Sequence, residues 1–103
     1  MNTLEVTILI DVENFILDLP IKDQHKISGA INSLKDGKFE CLYIKQLRGS
    51  IKELKVKKYR LLFFIKDGDV YFVRIFLKKT NKTPKNEIDI AEKFYKSLNN
   101  KNI

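Results

Sequence analysis

The stretch "YRLLFFIKDGDVYFVRIFLKK", residues 59–79, decides the fold. Two apolar runs, Tyr59 to Ile65 and Val70 to Leu77, flank Asp67-Gly68. An Asp-Gly pair between apolar runs predicts a tight β-hairpin, because both central residues of a type I′ turn take positive φ. Both runs are apolar on both faces, as expected of central strands covered on two sides. Arg60 shares its parity with Leu62 and Phe64, and Arg74 shares its parity with Phe72 and Phe76. A charge among core-strand residues is costly unless it is paired or opens onto a groove. The second run then spills into three lysines, Lys78, Lys79 and Lys82.

Upstream of the hairpin the period is also two. Lys52, Leu54 and Val56 share one face of a strand, and Glu53, Lys55 and Lys57 the other. Downstream, Thr83-Pro84 is a preferred helix entry, with threonine as N-cap and proline in the first turn. Ile88, Ala91, Phe94 or Tyr95, and Leu98 follow as an apolar stripe. At the other end, Leu4 to Ile10 is short and β-branched, which predicts a strand. Asp11 offers a cap for a helix carrying Val12, Phe15, Ile16 and Leu19, closed by Pro20. A second helix carries Ile27, Ala30, Ile31 and Leu34 and ends at Asp36-Gly37. The expected architecture is α+β, order β-α-α-β-β-β-α, with an antiparallel sheet and helices packed on it. The 103 residues suit one domain, 1–103, with 98–103 as a frayed tail.

Charge is segregated along the chain. Residues 1–40 carry four lysines against seven acids, net −3, and residues 41–103 carry sixteen Lys/Arg against six acids, net +10. That asymmetry predicts a basic working surface for a polyanion, nucleic acid above all. A single cysteine, Cys41, excludes a disulfide framework and a cysteine metal cluster, and is expected to be small and at least half-buried. The sole histidine, His25, sits among Lys22, Asp23, Gln24 and Lys26 and is expected on an exposed helix turn. No apolar run approaches a membrane span and no signal peptide is visible, so a cytoplasmic protein without a membrane partner is expected.

No Gly-rich phosphate loop, metal-ligand spacing or Ser-His-Asp set is present, and neither cofactor nor metal is expected. Chemistry must run on Glu, Lys, Arg and Tyr. Two basic segments stand out. Lys45 to Arg60 holds seven Lys/Arg and one acid, Glu53, and Arg74 to Lys85 holds five Lys/Arg and no acid. If neighbouring strands bring Glu53, Lys55, Arg60 and the lysine loop together, one acid is ringed by cations. Such a cluster suits RNA: a base takes the 2′-hydroxyl proton, and cations stabilise the negative charge gathering on phosphorus. Glu53 is the preferred base and a lysine its rival. The plainer alternative is that Glu53 only neutralises its basic neighbours.

The two segments together resemble the RelE/ParE toxin superfamily, and within it the HigB-like, phage-derived branch. The resemblance rests on Leu47-Arg48-Gly49, Glu53-Leu54-Lys55, Tyr59-Arg60, the Gly68 hairpin, and Phe76-Leu77-Lys78-Lys79-Thr80-Asn81-Lys82-Thr83-Pro84. It covers roughly residues 43–98. It implies the toxin of a type II toxin–antitoxin pair, a ribosome-dependent endoribonuclease that cleaves mRNA by 2′-hydroxyl attack, without a metal. The implied partners are a small helix-turn-helix antitoxin, the ribosome and mRNA. Carried over by position, the catalytic candidates are Glu53, Lys55, Arg60, Lys79 and Lys82. Lys45, Arg48, Lys52, Lys57, Lys58, Arg74 and Lys78 are the RNA-binding candidates. Lys55 stands where the family more often has Arg. No histidine occurs in the second half, which leaves the general acid to Tyr59 or a lysine. A ParE-like gyrase inhibitor and a non-catalytic nucleic-acid-binding or toxin-like module are the alternatives.

Overall fold

The computed structural model describes residues 4–99. The order is β1 (Glu5–Ile8), α1 (Ile10–Leu17), α2 (Ile21–Lys35), a 3₁₀ turn (Phe39–Cys41), β2 (Tyr43–Arg48), β3 (Ile51–Val56), β4 (Tyr59–Lys66), β5 (Asp69–Leu77) and α3 (Lys85–Asn99). The fold is α+β, as expected, and two details of the sheet differ. It has five strands in the order β1-β5-β4-β3-β2, and β1 runs parallel to β5. The sheet is therefore mixed, an antiparallel meander with one parallel edge, where an antiparallel sheet was expected.

The added strand, β2, is an exposed edge whose residues lie almost entirely in solvent. Its alternation is weak for that reason. The signal that marks it is Gly49-Ser50, a two-residue connection to β3 with Gly49 at φ 56°. The Asp67-Gly68 hairpin forms as predicted, with both residues at positive φ, 54° and 83°. The β3–β4 connection is unexpected: Lys57 takes φ 54° without being glycine.

Each face of the sheet carries its own core. On one face Leu54, Leu61, Phe63, Phe72 and Ile75 pack against Val12 of α1 and Ile27, Ile31 and Leu34 of α2. On the other, Ile51, Leu62, Phe64 and Val73 pack beneath Ala91 of α3. Tyr95, rather than Phe94, faces this second core, meeting Phe64 edge-on at 5.0 Å, while Phe94 is exposed. A bulge in β5 sets which residue goes where. Leu62 faces Arg74 but Phe63 faces Phe72, so Val73 is the extra residue. The bulge breaks the shared parity expected of Phe72, Arg74 and Phe76: Phe72 stays in the first core, while Arg74 and Phe76 pair with Leu62 and Arg60 on the α3 face.

Helix boundaries shift in a consistent way. α1 begins after Leu9 with no side-chain cap, so Asp11 lies inside the helix. Pro20 opens α2 instead of closing α1. Gly37 takes φ 77°, as a C′ glycine should. His25 is exposed as expected, and Cys41 is exposed where a buried or half-buried residue was expected. Leu98, assigned to the frayed tail, packs within α3 on the second core, and the rest of that tail past Asn99 lies outside the described residues. Among the described residues no helix is long and apolar enough to cross a membrane.

One polar cluster lies on the α2 side. Asp23 is buried, accepts a hydrogen bond from the Tyr59 hydroxyl at 2.6 Å, and pairs with the Lys57 ammonium at 2.5 Å. The bonds from Lys57 and Tyr59 hold its carboxyl below the usual aspartate range, against the opposing effect of burial. The depressed folded-state pKa means that Asp23 stabilises the fold above its unfolded-state pKa, and that this is lost as pH falls through the folded value. Asp23→Asn is therefore expected to lower the melting temperature at pH 7. Thermal melts in an acid series should show its deficit closing as pH drops below about 3.9, the unfolded aspartate value.

Candidate nucleic-acid interface

The register across β2, β3, β4 and β5 builds two rows on the α3 face. The first row is Lys45, Glu53, Leu62 and Arg74, and the second is Tyr43, Lys55, Arg60 and Phe76. Glu53, Lys55 and Arg60 thus meet on adjacent strands of one face. α3 covers the end of this face near Ile51 and Phe64. At the other end Lys55 is exposed and Arg60 half-buried.

Glu53 is buried, at 4% exposure, and accepts a short hydrogen bond from the Thr83 hydroxyl. Thr83 was expected to cap α3. Instead α3 starts at Lys85, with the Pro84 carbonyl accepting from the amides of Glu87 and Ile88. The other end of the lysine loop is fixed where the Lys78 amide donates to the Lys58 carbonyl at 2.9 Å. Anchored at Lys58 and at Glu53, the loop runs beside the Lys55–Arg60 row, with Lys79 and Lys82 exposed. The Thr80 hydroxyl donates to the Lys82 carbonyl at 2.8 Å and tightens the loop internally. Arg60 is folded onto the β3–β4 turn, its Nη1 donating to the carbonyls of Lys57 at 3.0 Å and Tyr59 at 2.9 Å. The Lys55 ammonium lies 5.6 Å from the centroid of the Tyr43 ring, within cation–π range.

The RNA-binding candidates divide. Lys45 joins Glu53 on the open face and is exposed. Arg48 and Arg74 instead stitch α3 to the sheet. Arg48 meets Asp89 at 2.8 Å and Glu92 at 3.3 Å. Arg74 holds both carboxylate oxygens of Glu87, at 2.6 and 3.4 Å. Arg48, then Lys85, pull the Asp89 carboxyl below its usual range, and Glu87 strengthens the hold of Arg74 on its proton. Lys52 lies on the opposite face, beside an apolar cavity lined by Phe39, Ile44, Phe63 and Ile65. Lys57 points to Asp23 on α2. Lys58 sits over the Tyr59 ring, 5.8 Å from its centroid, and Lys78 is half-buried at the start of the loop. Tyr59 itself is sealed in the first core against Asp23, its pKa raised by that bond and by burial, so it does not face the site. Among the described residues no group of three His, Cys, Asp or Glu side chains is placed to hold a metal ion.

A five-stranded sheet with two helices on one face, a C-terminal helix on the other and a basic row at its open end is an arrangement compatible with RelE-type toxins. The chain belongs to the family of Gp49-like phage-derived proteins (DUF891), whose model matches residues 14–96. That family is toxin-like and of RelE type. No curated protein matches the chain.

The Glu53–Thr83 bond joins residues thirty positions apart, and no spacing rule in the sequence points to it. It ties the lysine loop to the sheet. Thr83→Val keeps the size of the side chain and removes the donor. It is expected to raise amide hydrogen exchange across residues 78–84 several-fold while leaving β4 and β5 protected.

Proposed function

We propose that this protein is the toxin of a type II toxin–antitoxin pair, of the HigB-like branch, and that it cuts mRNA on the ribosome. The observation that carries this reading is Glu53: a carboxylate beside Lys45, Lys55 and Arg60 that accepts a hydrogen bond from an alcohol. The Thr83 hydroxyl stands where a ribose 2′-hydroxyl would donate. In the proposed reaction the 2′-hydroxyl displaces it and gives its proton to Glu53. The 2′-oxygen then attacks the adjacent phosphorus, and the bond to the 5′-oxygen breaks, leaving a 2′,3′-cyclic phosphate. Lys55 and Arg60 stabilise the charge on the phosphoryl oxygens. With Tyr59 sealed in the other core, a loop lysine, Lys79 or Lys82, protonates the departing 5′-oxygen. Lysine at position 55 supplies a point charge and no bidentate fork. The proposed partner is a small helix-turn-helix antitoxin.

Induction in cells with 5′-end mapping of mRNA tests this reading. Growth arrest with cuts at codon spacing is expected. Arrest with gyrase-dependent DNA breaks and no such cuts would overturn it. Glu53→Gln keeps an acceptor for Thr83 and removes the base, and should slow cleavage by about 10²- to 10⁴-fold. Arg60→Ala should slow it by about 10²- to 10³-fold and abolish toxicity, while antitoxin binding and the thermal melt persist. An Arg60→Ala variant that fails to fold would make Arg60 a brace for the turn and not a phosphate contact.

A further inference from the structure

The side of the molecule opposite α3 carries a basic feature that the reaction above does not use. A cavity of about 450 Å³ lies between the first turns of α2 and the β3–β4 turn, lined by Lys22, His25, Lys26 and Lys57. Lys22, His25 and Lys26 fall at i, i+3 and i+4 and so share one helix face. All four lining residues are exposed, and none is an acid. The nearest carboxylate in the helix, Asp23, is buried and turned to Tyr59, and it holds the Lys57 ammonium at 2.5 Å from below. Lys57 is therefore fixed in place at the rim, while Lys22 and Lys26 form no ion pair among the described residues.

We infer that this groove is a second site for a nucleic-acid phosphate backbone, which holds the RNA strand where it leaves the sheet's basic face. The proposal rests on the reading of the chain as one that acts on RNA. Continuity supports it. The same two-residue turn serves both surfaces: the Lys57 side chain lines the groove with its ammonium held by Asp23, its carbonyl accepts from Arg60, and the Lys58 carbonyl anchors the lysine loop. A strand crossing this turn passes from Arg60 to Lys57 without meeting an exposed acid of the turn. Composition supports it too. Lysines are depleted in the cores of protein–protein interfaces, whereas ammonium groups on flexible stems suit sequence-independent contact with phosphates.

Titration of the full-length protein with a fluorescent single-stranded RNA, across a salt series, is the test. Each lysine–phosphate contact on a single strand contributes about 0.7 to the slope of log affinity against log salt. Lys22→Ala/Lys26→Ala should make the slope shallower by about 1.4 and weaken binding about 25-fold at about 0.1 M salt. Both residues are exposed, so the thermal melt should be unchanged. An unchanged slope overturns the proposal. So does an equal loss in Lys93→Ala/Lys96→Ala, whose lysines lie on α3, because the effect would then follow net charge alone. A loss seen with poly-glutamate and not with RNA also overturns it, making the groove a site for an acidic polypeptide. If induced cells show no codon-spaced cuts but the slope still falls, the backbone site stands and the nuclease reading fails. Cuts with an unchanged slope give the reverse.

Discussion

One inserted residue organises the site side of this protein. At Val73, β5 carries an extra position that β4 does not match. The strand's inward and outward faces exchange there. Without the exchange Arg74 would follow Phe72 into the core on the α1 and α2 side, where a guanidinium without a partner is costly. With it, Arg74 emerges on the opposite face and meets Glu87 in the first turn of α3. A two-pronged ion pair, largely shielded from water, fixes a helix start more firmly than an exposed pair does. Arg48, bridging Asp89 and Glu92 about one and two turns from the helix start at Lys85, sets the helix's direction across the sheet. With α3 fixed, Thr83 is delivered to Glu53 and the lysine loop is held at both ends.

The two basic stretches of the sequence therefore contain residues of two kinds. Arg48 and Arg74 are neutralised within the molecule and act as ties. Lys45, Lys55, Lys79 and Lys82 remain exposed at the open end of the face. The arginines are used where planar, two-pronged geometry matters, and the lysines where charge alone is needed. Only the second kind contributes freely to an attractive field for a polyanion.

The legible parts of the fold are those where local chemistry acts alone. Asp67-Gly68 dictates a tight hairpin, Gly37 ends α2, and the spacing of Ile27, Ile31 and Leu34 buries one side of that helix. The bringing together of Glu53, Lys55 and Arg60 was also accessible, because strand parity and a short hairpin set their relation. The rest required tertiary information. β2 is an edge with little to bury, so it lacks the alternation that betrays a strand. The bulge at Val73 leaves no mark in the pattern of side chains. It moves Arg74 from an expected ligand contact to an internal brace. Lys52 lies among basic neighbours along the chain, yet its parity with Leu54 carries it to the other face. Asp23 is one acid among lysines in the sequence, and only the approach of Tyr59 and Lys57 shows why it is buried.

The pairing of β1 with β5 has a bearing on when this molecule becomes competent. Glu5 lies opposite Asp69, so the first strand finds its place only after most of the chain exists. Contacts that close such long loops form late, since chain entropy is lost before they reward it. Thr83 and Glu87, which complete the site, lie later still. A chain emerging from the ribosome thus has its basic strands made before the residues that complete the charged face. During vectorial synthesis, order along the chain holds back assembly of this face until the last helix is made.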